Sequence, residues 1–222
     1  MWVKICANTT LQDALLAASL GADALGFIFA PSPRQISVAQ AAAITPHLPP
    51  SVERVGVFAT ADVAEIVAAV QQAGLSGVQL HGGGQTELAR ELRAQLPEGV
   101  QILQTVHWVL DAAGDNATAI EHQLQQIADA GAADRVLVDS KVGAALGGTG
   151  VAFPWSQARS VLEPFRQRLP IVVAGGLHAD NVAEAIRELR PWGVDVASGV
   201  EAAPGRKDEQ KLKMFLRGAR GQ

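Results

Sequence analysis

Short apolar runs alternate eight times with longer amphipathic stretches along this chain. The short runs have the length and the apolar character of buried strands, and the longer stretches repeat apolar residues at helical spacing. The predicted strands cover residues 2–6, 24–29, 53–59, 77–81, 100–106, 134–139, 170–174 and 193–197. The predicted helices lie near residues 11–20, 38–47, 62–73, 85–96, 116–130, 155–168, 180–190 and 208–217.

The strict alternation of strand and helix predicts an α/β fold with parallel strands and right-handed crossovers. Eight such units favour closure into a (βα)8 TIM barrel over an open, doubly wound sheet. The length of 222 residues is ordinary for one barrel, and no linker or shift in composition divides the chain. We therefore expect a single barrel domain over residues 1–222.

Composition narrows the classes of function. Hydrophobic residues make up 48% of the chain, as in a packed globular protein. The net charge is −4 and no basic run occurs, which argues against a nucleic-acid or anionic-membrane partner. One cysteine cannot form an internal disulfide, and neither a secretion signal nor a membrane-spanning apolar stretch is evident. These features predict a cytoplasmic protein.

Two ionisable residues end predicted strands far apart in the sequence. Cys6 ends the first strand and Asp139 ends the sixth, and the carboxyl ends of barrel strands meet at one active-site face. Side-chain alternation aims Lys4 into the barrel with Cys6, where Asp195 on the eighth strand is a candidate counter-charge. The alternatives are a buried cysteine that acts only as a small hydrophobe and an aspartate that anchors the next loop.

Three glycine-rich segments also follow strands. The stretch 140–154, after Asp139, is predicted to be a mobile lid. The turns at 174–182 and 197–208 follow strands seven and eight, where α/β barrels commonly bind phosphate through backbone N–H groups. The candidate phosphate-binding residues in these two turns are Gly175, Gly176, Ser198 and Gly199.

Arg34 and His81 complete the set of candidate site residues. Pro31 and Pro33 stiffen the loop that carries Arg34, so its guanidinium is a candidate clamp for a substrate carboxylate, the alternative being a solvated loop arginine. His81 ends a barrel strand and either lines the pocket or serves a structural role. The histidines lack metal-ligand spacing and no dinucleotide, nucleotide or zinc motif occurs, so we expect neither a metal nor a cofactor.

Motifs spread over the whole chain resemble those of the phosphoribosylanthranilate isomerase family. In order they are KIC at 4–6, GFIFAPSPRQIS at 26–37, GVFA at 56–59, GVQLHG at 77–82, VLVDS at 136–140, GGTG at 147–150, VVAGGL at 172–177, NV at 181–182, VDVASGVE at 194–201, PGRKD at 204–208 and a KLKxFL pattern at 211–216. The resemblance implies that Cys6 is the general base, that Asp139 is the general acid and that Arg34 binds the anthranilate carboxylate. It places the phosphate near Gly175, Gly176, Ser198 and Gly199.

The resemblance further implies an Amadori isomerase of tryptophan biosynthesis that takes a small phosphorylated substrate and acts as a monomer or homodimer. The chain departs from the family at Ala7, where KIC is normally followed by glycine, and alanine there is costly if the backbone needs positive φ. Two alternatives remain: a barrel that only binds a phosphorylated ligand, and a related isomerase that also accepts a histidine-pathway aminoaldose. That second enzyme carries an aspartate as its base, against which Cys6 argues.

Overall fold

The computed structural model describes residues 1–83, 85–110, 116–141 and 152–221, with only the backbone of Lys141. The barrel strands are β1 Trp2–Ile5, β2 Ala24–Ile28, β3 Glu53–Phe58, β4 Gly77–Leu80, β5 Gln101–Val109, β6 Arg135–Lys141, β7 Ile171–Val173 and β8 Gly193–Val196. The helices are α1 Leu11–Ser19, α2 Val38–Ile44, α3 Val63–Ala73, α4 Thr86–Gln95, α5 Asn116–Ala130, α6 Trp155–Leu162, α7 Val182–Leu189 and α8 Glu209–Arg220.

The eight strands close into one parallel barrel. Each strand pairs with the next, and β8 pairs with β1 so that Lys4 lies opposite Asp195. A helix follows each strand, as right-handed parallel crossovers require. The predicted α/β class and (βα)8 TIM barrel are therefore confirmed.

Side-chain alternation on the strands produces two apolar layers. Outward-facing residues such as Val3 and Ile5 are fully buried in the main core between the strands and the helices. A smaller cluster of Leu137, Val172 and Ala174 lies apart from it. These three residues alternate with outward-facing valines, so they fill the barrel interior.

The amino-terminal end of the barrel is closed by packing and charge. The Arg135 guanidinium lies 4.9 Å from the Trp2 ring centroid and 4.6 Å from that of Trp192, within cation–π range. Arg135 also donates to Glu53 at 2.7 and 3.0 Å. These contacts fill the amino-terminal end of the barrel, and the cavity opens at the carboxyl end.

The structure corrects the predicted bounds of β5, α2 and α6 and adds one hairpin. β5 runs to Val109, beyond the predicted end at residue 106, because its alternation continues with Trp108 outward, stacked on Phe153. α2 and α6 are shorter than predicted, since each gives way to a 3-10 turn that contains a proline. A short hairpin, β9 Glu201–Ala203 and β10 Arg206–Lys207, forms where the sequence predicts only a turn.

The predicted lid coincides only partly with the described chain. Ser140 and Lys141 complete β6, and residues 152–154 precede α6. The remainder of the predicted lid, including the GGTG motif at 147–150, lies outside the described residues. None of the helices in the described ranges combines the length and the apolar character needed to cross a membrane.

Candidate active site

A cavity of about 310 Å³ opens at the carboxyl end of the barrel. Its walls include seven of the eight predicted site residues: Cys6, Arg34, His81, Asp139, Gly175, Gly176 and Ser198. Gly199 does not line it and packs instead against the loop after β7, where a Cβ would lie 2.0 Å from the Leu177 carbonyl oxygen. The fold thus brings together groups that are far apart in the sequence.

Cys6 directly follows β1 and is held by the strands on both sides. Its backbone N–H donates to the Val196 carbonyl at 2.8 Å. A Cβ at Gly26 would lie 2.6 Å from the Cys6 sulfur, so glycine at that position of β2 makes room for the thiol. Ala7 has φ of 62°, which confirms that the chain places alanine where the backbone needs the left-handed region.

Lys4 and Asp195 form a buried ion pair below the thiol. Lys4 Nζ lies 2.9 Å from Asp195 Oδ1, and the Lys4 side chain is fully buried. Burial by itself lowers the pKa of Lys4, but Asp195 and Cys6 outweigh that effect and the net pKa is raised. Lys4 is therefore charged, as the predicted pairing with Asp195 required.

The Cys6 thiol has a raised pKa. Burial is the largest cause, and the negative charge of Asp195 adds to it. The positive charges of Lys4 and Lys207 act in the opposite direction. Cys6 is thus a neutral thiol at rest, and one further positive charge in the cavity favours its thiolate.

Asp139 is a carboxyl group adapted to carry a proton near neutral pH. It lies on β6, is 7% exposed, and has its pKa raised to about 7. Burial is the main cause and the neighbouring charge of Asp195 is the second, while Lys4 and a backbone hydrogen bond at Ser140 lower the pKa. A carboxyl with this pKa is able to act as a general acid at neutral pH.

His81 lies in the cavity wall beside a second histidine that the sequence did not single out. The rings of His81 and His107 meet edge to face with centroids 4.9 Å apart, and His107 Nε2 lies 3.0 Å from the His81 carbonyl oxygen. Because a carbonyl only accepts, Nε2 of His107 carries the proton. Ligand atoms of these two residues and of Asp139 lie within 4.8 Å of one another, so this is where the described residues offer ligands for a divalent cation.

The turn after β7 places Gly175 and Gly176 in the cavity wall. Gly175 and Gly176 have φ of 81° and 63°, and a Cβ at Gly175 would lie 2.5 Å from the Ser140 backbone nitrogen. The Asn181 amide fastens the turn by donating to the Gly176 carbonyl at 2.9 Å and accepting from the His178 N–H at 2.8 Å. Ser198 starts a 3-10 turn after β8 on the adjacent part of the wall. Turns of this kind suit a phosphate group.

Arg34 lines the cavity, and its guanidinium is paired with Glu201. Its Nε lies 3.0 and 2.9 Å from the two carboxylate oxygens of Glu201, and its Nη2 lies 2.8 Å from Oε2. Glu201 also accepts from Lys207 Nζ at 3.3 Å. The loop arginine is therefore a member of a charge cluster, and the alternative of a merely solvated side chain is wrong.

The sequence pattern does not assign a role to several of these residues. Glu201 and Lys207 lie in the VDVASGVE and PGRKD motifs, but only the folded hairpin shows what they contact. Asp195 was predicted as the partner of Lys4, yet it also lines the cavity. His107 lay just beyond the predicted end of β5, and the alternation through Thr105 was the signal that would have included it.

The chain is similar to known proteins over nearly its whole length. A family model described as N-(5'-phosphoribosyl)anthranilate isomerase matches residues 3–217. The N-(5'-phosphoribosyl)anthranilate isomerase of Trichormus variabilis is 40% identical over 217 residues, which are 97% of each chain.

Two solved structures match this chain over its whole length, and the match covers 100% of each of them as well. One shows monomers of the dimeric phosphoribosylanthranilate isomerase from Thermotoga maritima, with a TM-score of 0.79 and 35% identity. The other is a phosphoribosylanthranilate isomerase in complex with reduced 1-(o-carboxyphenylamino)-1-deoxyribulose 5-phosphate, also with a TM-score of 0.79 and 35% identity. Because these similarities extend from the first strand to the last helix, the chain belongs to the N-(5'-phosphoribosyl)anthranilate isomerase family.

Proposed function

We propose that this protein is the isomerase that converts N-(5-phosphoribosyl)anthranilate to 1-(2-carboxyphenylamino)-1-deoxyribulose 5-phosphate in tryptophan biosynthesis. The observation that carries the proposal is the placement of Cys6 and Asp139 in the walls of one cavity, with the Asp139 pKa raised to about 7. An Amadori rearrangement needs one group that donates a proton and another that removes one. Membership of the family supports the same reaction.

The first step is opening of the ribose ring. Asp139, as the neutral acid, donates its proton to the ring oxygen. The bond between that oxygen and C1′ breaks, and the nitrogen lone pair forms a C1′=N double bond, so that the product is a protonated imine. Burial and Asp195 keep Asp139 protonated to a higher pH than an ordinary aspartic acid, which suits this role.

The second step is removal of the C2′ proton. Once the imine cation has formed, Cys6 loses its thiol proton to solvent in the open cavity and becomes the thiolate. The thiolate takes the C2′ proton, the electrons of the C–H bond form a C1′=C2′ double bond, and the electrons of the C=N bond return to nitrogen. The resulting enolamine becomes the ketone by proton transfer from oxygen to C1′. The imine cation is the additional positive charge that favours the Cys6 thiolate, together with Lys4 and Lys207. Because the imine accepts the electrons, this scheme uses neither a metal nor an organic cofactor.

Substrate orientation in this scheme follows from the two anion-binding regions. Backbone N–H groups near Gly175, Gly176 and Ser198 bind the phosphate, and Gly199 supports the second turn by packing against Leu177. Arg34 meets the anthranilate carboxylate with the edge of its guanidinium that Glu201 leaves open. His81 lies in the wall beside Asp139 and contacts the sugar between the two ends.

The proposal includes the setting in which the enzyme acts. Its partner is a small phosphorylated substrate, and the acidic net charge disfavours nucleic acid and anionic membranes. A monomer or a homodimer is the expected assembly, and the cytoplasm is the expected compartment because the lone cysteine is required as a thiol.

The experiment that tests the function is an assay with freshly prepared N-(5-phosphoribosyl)anthranilate, followed by the loss of its fluorescence. The protein is purified from a host that lacks its own isomerase, so that a contaminant cannot supply activity. We expect the decay rate to rise in proportion to protein concentration. A decay no faster than that of the substrate alone, with the folded protein present, contradicts the proposal.

A further inference from the structure

We propose that the hairpin formed by β9 and β10 is a positioning element for the substrate carboxylate. In it Glu201 orients Arg34, and Lys207 ties this pair to the backbone of Cys6. The inference rests on the proposed function and adds to it the two residues that set the geometry of carboxylate recognition.

Glu201 engages one complete edge of the Arg34 guanidinium. Three contacts between 2.8 and 3.0 Å join Nε and Nη2 of Arg34 to the two oxygens of Glu201. Side-chain exposure is 4% for Glu201 and 17% for Arg34. The guanidinium is planar and has five N–H groups. Because Glu201 binds the Nε and Nη2 edge, it fixes the plane of the whole group, and the remaining N–H groups can bind a second carboxylate in that plane.

The charges of the cluster favour an anionic ligand. Glu201 lies between Arg34 and Lys207, whose Nζ is 3.3 Å from Oε1 and whose side chain is fully buried. One carboxylate therefore faces two basic side chains; burial lowers the pKa of Lys207, and Glu201 acts in the opposite direction. A substrate carboxylate supplies a second anion to these two basic side chains, whereas a neutral group leaves them to share Glu201 alone.

Lys207 connects this cluster to the candidate base. Its Nζ donates to the Cys6 carbonyl oxygen as well as to Glu201. That carbonyl belongs to the peptide that leads into Ala7, at the end of β1. The same hairpin thus fixes both the carboxylate-binding edge of Arg34 and the backbone that carries the thiol.

Hydrogen bonds to neighbouring segments hold the hairpin in place, so that Glu201 has a fixed position. Lys211 Nζ donates to the Glu201 carbonyl at 2.7 Å, and the Gly205 N–H lies 3.3 Å from Glu201 Oε1. Thr9 Oγ1 donates to the Gly205 carbonyl at 2.5 Å. These contacts attach the hairpin to α8 on one side and to the loop after β1 on the other.

The test uses binding, which does not depend on turnover. Two probes are titrated by calorimetry: reduced 1-(o-carboxyphenylamino)-1-deoxyribulose 5-phosphate, and the matching phenylamino compound without the carboxylate. We expect the wild type to prefer the first probe. Glu201→Gln should reduce that preference at least tenfold, because Arg34 loses the carboxylate that holds its Nε and Nη2 in one plane. Glu201→Asp, which keeps the charge, should restore part of the preference.

Two further variants separate positioning from general stability. Glu53→Gln alters the corresponding Arg–Glu pair at the closed end of the barrel and should leave the preference unchanged. In an Arg34→Ala background, Glu201→Gln should have no further effect on the preference, since Glu201 acts through Arg34.

The outcomes are distinguishable from one another. An unchanged preference in Glu201→Gln, or an equal loss with and without Arg34, overturns the positioning role while leaving the proposed function intact. A folded wild type that binds neither probe overturns the proposed function, and this inference with it.

Discussion

At the scale of single residues, Asp195 influences both proposed proton-transfer groups. It pairs with Lys4 at 2.9 Å, and its charge raises the pKa of both Cys6 and Asp139. The sequence predicted only the pairing with Lys4. Its influence on Asp139 depends on the closure of the barrel, which brings strands from opposite ends of the chain into one small interior.

Replacing this carboxylate should move the pH dependence of catalysis. Asp195→Asn removes a negative charge that raises the Asp139 pKa, and this effect exceeds the opposite effect of Lys4. The Asp139 pKa should therefore fall below about 7, and the alkaline limb of the kcat/KM profile, along which the acid loses its proton, should move to lower pH. Asp129→Asn, on an exposed part of α5, should leave the profile in place. An alkaline limb that does not move in Asp195→Asn shows that Asp195 does not control Asp139.

At the scale of elements, the sequence predicted the strands and helices well because each has a clear apolar period. It failed where tertiary contacts decide the conformation. β5 continues through His107 because β6 pairs with it residue for residue, His107 beside Asp139. The β9–β10 hairpin is too short for any period to show, and buried charges that come from distant segments hold it together. The sequence therefore predicted where the site lies but not how Arg34 is held.

The turn after β7 and the loop after β2 should bind different parts of one ligand. Gly176→Val places a β-branched residue at φ of 63°, which distorts the turn and should weaken every phosphorylated ligand. Arg34→Ala should weaken only ligands that carry the carboxylate, by about 1.5–3 kcal/mol. The measurement is a titration of each variant with the reduced product analogue and with a simple pentose phosphate. Equal losses for both ligands in Arg34→Ala would mean that Arg34 binds the phosphate.

At the scale of the whole molecule, function and stability conflict at Asp139. Its pKa is about 7 in the folded protein and near 3.8 when exposed, so the folded state keeps a proton that the unfolded state has lost. When the pKa of a carboxyl group is higher in the folded state than in the unfolded state, its protonation stabilises the fold. This stabilisation is complete below the unfolded-state pKa and is lost as the pH rises through the folded-state pKa. The folded protein thus becomes less stable as Asp139 ionises.

Asp139→Asn should therefore gain stability relative to the wild type as the pH rises. Between pH 5 and pH 8 the gain in the free energy of unfolding should be about 2–3 kcal/mol, and urea denaturation at the two pH values measures it. The exposed Glu98→Gln serves as a control and should show no such change. A difference between Asp139→Asn and wild type that is independent of pH would show that Asp139 is ionised throughout this range.

The most direct test of the central claim, that Cys6 is the base, is the kcat of Cys6→Ser in the fluorescence assay. Serine keeps the shape of the side chain, but its hydroxyl does not ionise near neutral pH. We predict a loss in kcat of at least ~10²-fold, with the affinity for the reduced product analogue nearly unchanged, because the thiolate acts in the transition state. A Cys6→Ser variant that turns over at close to the wild-type rate would contradict the account and leave Cys6 as a packing residue.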